Sequence, residues 1–351
     1  MTLAVNLAQG ASNNVTFRNK IINGAMVIDQ RNAGASVALN SDEKYITDRF
    51  IARASNSTSS TAIRSTTTAT GFKNSLLITI GTGATASGSN YIQQKIEGLN
   101  VYDLNWGSAS AATVTLSFWV RSSLTGTFGG ALQNSAGNRS YPFTYTISSA
   151  NTFEQKSITI AGDTSGTWLT DTSTGIALII SLGEPAGNLG TAGSWAAADY
   201  RGATGQTNLV ATSGATLYIT GVQLEKGSTA TSFDYRPYTT ELQLCQRYFQ
   251  LLQGGGGRWG STQANFIYTT VLPVSMRASP TLSVQGTVSI ENYAGNNATV
   301  GSVGSTTGLY PNGIGYAVLA LSGASGSPVQ GYGGELFAGS SSSGIATSAE
   351  L

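Results

Sequence analysis

Carboxylates are the side chains in this sequence with the plainest capacity for chemistry. The 17 acidic residues are scattered, and the nearest groupings are Ser41-Asp42-Glu43 and the pair Asp163 and Asp171 in GDTSGTWLTD. Glycoside cleavage needs two carboxylates at a defined separation, and neither grouping indicates such a pair. The chain also has no histidine, which excludes serine-histidine and cysteine-histidine mechanisms and histidine-bearing zinc sites. We therefore predict a protein that is not an enzyme.

Metal and nucleotide sites receive little support from the sequence. GDTSGTWLTDTSTG could wrap a calcium ion with Asp163, Asp171 and backbone oxygens, but it lacks the D-x-D-x-D-G spacing of a calcium loop, so a polar turn is favoured. The Gly-rich runs SGSN and QGGGGRWG lack the strand-to-helix context of a phosphate loop. We predict no cofactor and leave a structural calcium open.

Aromatic residues in polar, Gly-rich loops are a second group of candidate site residues. Trp168 lies in SGTWLT, Trp195 and Tyr200 lie in AGSWAAADYRG, and Trp259 lies in GGRWGS. A tryptophan face can stack on a sugar ring while nearby polar groups orient the hydroxyls. The alternative interpretation is that each tryptophan only caps one end of a β-sandwich core.

Composition limits the partners of the protein. The chain has 351 residues, 40% of them hydrophobic and 10% charged, with a net charge of +1. That balance provides no electrostatic footprint for nucleic acid or an anionic membrane. No stretch approaches the roughly 18 continuous apolar residues of a membrane span. Cys245 is the single cysteine, so stability must come from packing or oligomerisation.

Strand-like patterns dominate the first two thirds of the sequence. In TVTLSFWVR, residues 114, 116, 118 and 120 share one apolar face, which is typical of a strand with one side in the core. Similar patterns predict strands over 21–28, 45–52, 75–80, 91–96, 113–121, 139–147, 153–160, 175–182 and 216–224. We predict an all-β, antiparallel jelly-roll sandwich over residues 20–237, preceded by an arm over residues 1–19.

The pattern changes after Pro237. Thr240 and Gln243 form a capping-box signature, and an apolar stripe continues through Cys245, Phe249 and Leu252. Residues 238–257 are therefore predicted to be a short linking helix that four glycines, 254–257, bring to an end. Its stripe is covered either by the sandwich or by other subunits. Residues 258–351 are predicted to form a second, smaller β-sandwich.

Several long motifs resemble those of bacteriophage tail-fibre and related virion fibre proteins. They run from about residue 19 to residue 280 and include NKIINGAMVIDQRN, YITDRF, YIQQKIEGLNVYDLNWG, TVTLSFWVRSSLTGTF, LYITGVQLEKGSTATSFDYRPY and ELQLCQRYFQ. The resemblance implies a jelly roll similar to carbohydrate-binding modules. In some such modules a structural calcium lies near the ends of the first and last strands, where Asp29 and Glu225 are the acidic candidates in this sequence.

The resemblance also implies partners and a location. We expect a homotrimeric tail fibre that is assembled in the host cytoplasm and binds a host cell-surface polysaccharide or another receptor. Residues 1–19 would attach it to tail, baseplate or capsid proteins. Two alternatives remain: a capsid decoration or head-fibre protein that stabilises the particle, and a polysaccharide depolymerase.

Overall fold

Two six-stranded antiparallel sheets form the larger part of the fold. The computed structural model describes residues 17–55, 57–259, 265–292, 297–307, 314–322, 333–338 and 343–351. The first sheet has the order β1 (Val37–Ala38), β4 (Thr61–Ser65), β5 (Ser75–Thr79), β14 (Thr216–Lys226), β7 (Val114–Ser122) and β10 (Glu154–Ile160). The second has the order β2 (Lys44–Thr47), β3 (Phe50–Ala54), β6 (Asn90–Glu97), β11 (Thr174–Ser181), β8 (Gly126–Gln133) and β9 (Ser140–Ile147).

The remaining elements are shorter. A parallel pair, β12 (Leu189–Gly190) and β13 (Gly202–Ala203), lies in the connection between β11 and β14, and α1 (Tyr238–Gln246) follows the sandwich. A three-stranded sheet contains β15 (Phe249–Leu252), β23 (Gly344–Ser348) and β18 (Thr281–Gln285). A closed barrel contains β16 (Gly254–Trp259), β17 (Asn265–Val271), β21 (Ile314–Ser322), β20 (Asn297–Thr307), β19 (Val288–Asn292) and β22 (Gly333–Ala338). Within the described part of the chain, no helix is long and apolar enough to span a membrane.

The all-β fold class is confirmed. Along β7, Val114, Leu116, Phe118 and Val120 are fully buried between the two sheets, as their alternation predicts. The C-terminal β unit differs in form from the predicted small sandwich, because six of its strands close into a barrel. Closure pairs both edges of the sheet and leaves no exposed backbone row.

The predicted first strand, residues 21–28, is wrong. Its apolar residues are buried as expected, and Ile21 and Met26 are fully inaccessible. Yet Asn23 and Met26 have φ values of 60° and 57°, which lie in the left-handed region and are incompatible with a strand. The apolar pattern predicted correctly that these side chains are buried, but the segment that carries them is irregular and not a strand.

Side chains replace the sheet as hydrogen-bond partners of this segment. Asn23 Nδ2 donates to the carbonyls of Ile28 and Asp48 at 2.8 and 2.9 Å, and Asn23 Oδ1 accepts from the Ile28 N–H at 2.9 Å. Gln94 bonds both backbone groups of Ile22, and Glu241 accepts the Asn23 N–H at 2.5 Å. Many of the buried backbone groups are thus satisfied by side chains and not by a strand ladder.

Part of the same segment extends the first sheet. The Lys20 N–H donates to the Leu224 carbonyl at 2.8 Å, and the Val222 N–H donates to the Gly24 carbonyl at 3.0 Å. Residues 19–24 therefore lie beside β14 where β5 has already ended. Gly24 is required at this point, because a Cβ there would lie 2.1 Å from the Val222 carbonyl oxygen.

The predicted second strand, residues 45–52, is split into β2 and β3 by a turn at Asp48 and Arg49. Arg49 has φ 70°, and both residues are buried. Asp48 pairs with Arg31 at 3.2 Å, whereas the Arg49 guanidinium lies 3.6 Å from the centre of the Tyr248 ring. These contacts with distant residues stabilise the turn. The apolar pattern of the sequence does not reveal it, because a single strand would produce the same pattern.

The predicted linking helix is too long. It begins after Pro237 with no side-chain cap and ends at Gln246, so the Thr240–Gln243 capping box is not formed. Phe249–Leu252 instead pairs with β23, and the glycines predicted to end the helix belong to β16. Gly255 leaves room for the Tyr268 ring, because a Cβ there would lie 2.6 Å from a ring carbon.

The apolar stripe of α1 is covered within the chain. Cys245 is fully buried in a cluster with Ile22, Ile28 and Tyr248, and Leu242 packs against it. The irregular segment over residues 20–31 is therefore the main cover of the helix. Of the predicted arm, residues 1–16 lie outside the described residues, and the predicted domain boundaries stay a prediction.

Replacement of Asn23 tests the role of its side chain. We expect Asn23→Ala to lower the free energy of unfolding by about 2–4 kcal/mol, because it leaves several buried backbone groups without partners. Urea denaturation measures the change. Asn151→Ala is the matched control, because Asn151 also has a left-handed φ of 57° but is exposed. Equal losses in the two variants would contradict the hydrogen-bond explanation and indicate a backbone effect.

Candidate functional site

Three tryptophans that are distant in sequence meet at one end of the sandwich. The ring centre of Trp106 lies 4.7 Å from that of Trp168 and 5.2 Å from that of Trp195, and the latter two are 5.3 Å apart. All three pairs are edge to face, and Tyr141 adds a fourth ring 5.3 Å from Trp195. We call these four residues the tryptophan cluster. Edge-to-face pairs are the geometry that aromatic quadrupoles favour.

Each ring of the cluster comes from a different part of the chain. Trp106 follows two short 3₁₀ turns, Trp168 lies between β10 and β11, Trp195 lies between β12 and β13, and Tyr141 is on β9. Gly107 lets the first two loops approach, because a Cβ there would lie 2.8 Å from the Gly166 carbonyl oxygen. The cluster packs on the main core of the sandwich, which fixes the positions of the loops.

The indole N–H groups are used within the protein. Trp106 donates to the Ala112 carbonyl at 2.8 Å, Trp168 to Ser165 at 3.2 Å, and Trp195 to Ala161 at 2.8 Å. Trp106 is 9% exposed, whereas Trp168 and Trp195 are half-buried. Trp168 and Trp195 therefore present no unpaired indole N–H to a ligand.

A bidentate ion pair adjoins the cluster. Arg139 Nε and Nη2 donate to the two carboxylate oxygens of Asp163 at 2.7 and 2.6 Å, and this bond raises the pKa of Arg139. Asp163 is almost completely buried and also accepts the Ser165 N–H. Asp171 is exposed and accepts the Ser173 N–H, which lowers its pKa. The two aspartates thus serve separate structural bonds.

The other predicted aromatic residues do not join the cluster. Tyr200 covers Gly190, where a Cβ would lie 2.2 Å from its ring, and its carbonyl accepts from Gln133. Its ring makes no aromatic pair with the cluster within the part of the chain that the structure describes. The side chain of Trp259 lies outside the described residues, although its backbone ends β16.

The carboxylates of the calcium candidates Asp29 and Glu225 accept hydrogen bonds within the protein. Asp29 accepts the N–H groups of Asn32 and Gly34 at 3.0 and 2.6 Å. Glu225 accepts from the backbone and hydroxyl of Thr231 and from Gln223. Their carboxylates are thus used in two separate hydrogen-bond networks. Over the described ranges, no group of three potential metal ligands occurs.

Sequence reasoning missed two features of the sandwich. Trp106 lies in the motif YIQQKIEGLNVYDLNWG, where nothing local indicates that it contacts residues 168 and 195. Glu184, which follows β11, lies at 5% exposure, and burial raises its pKa to about 7 although the Asn90 N–H donates to it at 2.8 Å. A single acidic residue in an ordinary turn sequence, SLGEP, gave no signal of this environment.

Comparison with known proteins gives only distant likenesses. No family model and no curated protein matches the sequence. The enzymatically active domain of tailspike protein 4 from bacteriophage CBA120 is 13% identical, with a TM-score of 0.30 over 60% of this chain and 21% of that one. A family 11 carbohydrate-binding module from Clostridium thermocellum is 12% identical, with a TM-score of 0.28 over 57% of this chain and 100% of that one.

A third similar structure is a CBM4 structure that is 15% identical, with a TM-score of 0.31 over 58% of this chain and 98% of that one. This chain matches only about a fifth of the tailspike domain's length. The function of this chain must therefore be inferred from its own side chains.

The pH dependence of stability tests the environment of Glu184. Its folded pKa of about 7 exceeds the ordinary 4.5, so ionisation opposes folding. Stability is unaffected below about pH 4.5 and falls as the pH rises toward 7. Relative to wild type, Glu184→Gln should gain up to about 3 kcal/mol between pH 4.5 and 7.5, as measured by denaturation at each pH.

Glu154→Gln is the control with the opposite sign. The Lys156 ammonium holds the pKa of Glu154 below its ordinary value, so its contribution is present at neutral pH and lost on acidification. A Glu184→Gln variant that followed the pH profile of wild type would show that Glu184 is not perturbed.

Proposed function

We propose that this chain is a non-catalytic glycan-binding fibre protein of a bacteriophage virion, and that the tryptophan cluster is its sugar-contacting surface. The observation that carries the proposal is the arrangement of Trp168 and Trp195. Both rings are half-buried, lie 5.3 Å apart, and come from loops at one end of a rigid sandwich. Loops positioned by a rigid scaffold are where binding residues concentrate.

A sugar ring could cover Trp168 and Trp195 without breaking their hydrogen bonds. The C–H face of a sugar ring can pack on indole carbons, and no indole N–H is left unpaired by that contact because each already has a carbonyl partner. Mutual packing also fixes the ring orientations before binding, so little side-chain entropy remains to be lost. Arg139 uses two of its nitrogens for Asp163, which leaves Nη1 as a donor for a sugar hydroxyl.

The virion assignment is supported by the sequence motifs that resemble fibre proteins, from NKIINGAMVIDQRN to ELQLCQRYFQ. In this proposal the N-terminal arm attaches the protein to the tail, baseplate or capsid. A homotrimer would present three tryptophan clusters to one cell surface, and such valency raises weak single-site binding without new contacts.

A decoration or head-fibre protein is the second candidate function. The observation in its favour is that every indole N–H of the cluster bonds a backbone carbonyl, which would also occur if the rings only brace the loops. In that case the tryptophans would contribute to stability and not to binding. The position of the labelled protein on capsomers, in an image of the virion, would favour this alternative.

Substitution of the two half-buried tryptophans of the cluster tests the glycan proposal. We expect Trp168→Ala and Trp195→Ala each to weaken binding of the purified protein to extracted host polysaccharide by about tenfold or more, the typical loss at a central aromatic contact. Trp119→Ala is the matched control, because Trp119 is a half-buried tryptophan on β7, outside the cluster. Binding by isothermal titration and folding by circular dichroism are measured together.

Three results would overturn this proposal. The first is unchanged binding in both cluster variants while the fold is intact, and the second is no binding by wild type at high valency. The third is release of reducing ends from the polysaccharide, which would show that the protein is a depolymerase.

A further inference from the structure

A second aromatic surface lies at an irregularity in β14. The rings of Phe72, Phe233 and Tyr235 pack together with centre distances of 5.1, 5.7 and 4.9 Å. Tyr235 is 61% exposed, which is unusual for a large side chain in this fold. We call these three residues the aromatic platform.

A bulge in β14 creates the space for this platform. The register between β14 and β7 shifts between Thr220 and Gln223, and Gly221 within it has φ 60°. A Cβ on Gly221 would lie 2.5 Å from the Phe72 ring, so the missing side chain is what lets the ring pack on the strand. The Tyr235 hydroxyl donates to the Gly71 carbonyl at 3.0 Å and holds the platform in place.

The platform forms one wall of a cleft of about 230 Å³. Val27 and Ala25 continue the apolar wall, and Lys73, Arg236 and Glu241 supply charged groups at its margin. Sites for drug-sized ligands occupy roughly 300–1,000 Å³. This cleft is smaller and is suited to a single ring.

The charged groups around the cleft leave donors in excess. The Glu241 carboxylate already accepts from the Asn23 N–H and from Arg236. The Arg236 side chain is 4% exposed, and its Nε has no hydrogen-bond partner, since Asp234 Oδ2 lies 4.0 Å away. Lys73 is exposed and has no ion pair within the described residues. A buried donor without a partner is costly, and an anionic ligand would relieve that cost.

We propose that this cleft binds one acidic sugar residue, of the hexuronate class, with its ring against Tyr235 and its carboxylate toward Lys73 and Arg236. The inference rests on the proposed glycan binding but adds a site whose lining residues are all outside the tryptophan cluster. It therefore predicts that the recognised polysaccharide carries carboxylate groups.

A sugar acid explains the site better than an apolar protein side chain does. A side chain of a protein partner would use the rings but would leave the Lys73 ammonium without a counter-charge and the Arg236 Nε without a hydrogen-bond acceptor. A sugar ring with one apolar face and one carboxylate contacts both the aromatic rings and the charged groups. Charge-assisted hydrogen bonds to carboxylates are also the stronger kind, so the acidic group should dominate selectivity.

Direct binding of two probes to the full chain tests the inference. Saturation-transfer NMR and titration compare methyl β-glucuronide with methyl β-glucoside. We expect the glucuronide to bind about tenfold more tightly. Lys73→Met should reduce that preference to less than about threefold, and Tyr235→Ala should remove binding of both probes. Tyr238→Ala is the matched control, because Tyr238 is similarly exposed, at 63%, but lines a different cleft.

The outcomes separate this site from the tryptophan cluster. Trp168→Ala and Trp195→Ala should leave glucuronide binding unchanged even where they reduce binding of host polysaccharide. Equal affinity of wild type for the two probes, absence of glucuronide binding at millimolar concentration, or unchanged binding in Tyr235→Ala would each overturn the acidic-sugar site. Loss of polysaccharide binding in the tryptophan variants would stand independently of those results.

Discussion

Satisfying the buried backbone of residues 19–31 is the constraint on which much of this structure depends. These residues lie in the core, yet left-handed positions at Asn23 and Met26 prevent a regular strand. Every N–H and C=O that leaves water here needs a partner, and β14 supplies only some of these partners. Asn23, Gln94 and Glu241 supply many of them, and they come from the segment itself, from the second sheet and from α1.

That constraint links parts of the chain that are remote in sequence. The Glu241 carboxylate accepts from both the Asn23 N–H and Arg236. One carboxylate of α1 therefore bonds the irregular segment and also lines the cleft beside the aromatic platform. The end of the chain joins the same region, because Glu350 pairs with Arg31 at 2.9 Å and also with Arg49. Arg277 donates to the carbonyls of Ala349 and Glu350. Sandwich, helix and C-terminal β unit are consequently connected by charge-assisted bonds.

The sequence predicted what depends on local alternation and missed what depends on distant partners. The β7 strand was predicted correctly because residues 114 to 120 alternate and one face meets the core. The strand prediction failed at 21–28, where the side chains of Asn23 and Gln94 bond the buried backbone. The helix prediction failed at Phe249–Leu252, where pairing with β23 overrides an apolar stripe of helical spacing. Trp168 and Trp195 were identified as loop aromatics, but only the fold reveals Trp106 and Tyr141 beside them.

The burial of Cys245 makes its reactivity depend on local opening of the fold. Its thiol is covered by Ile22, Ile28 and Tyr248, and burial raises the pKa of Cys245 well above its ordinary value. Because the thiolate is the reactive form, a thiol reagent can modify Cys245 only when α1 separates from the irregular segment. The single cysteine of the chain is therefore a probe of local opening, because its labelling rate reports how often α1 separates from the irregular segment.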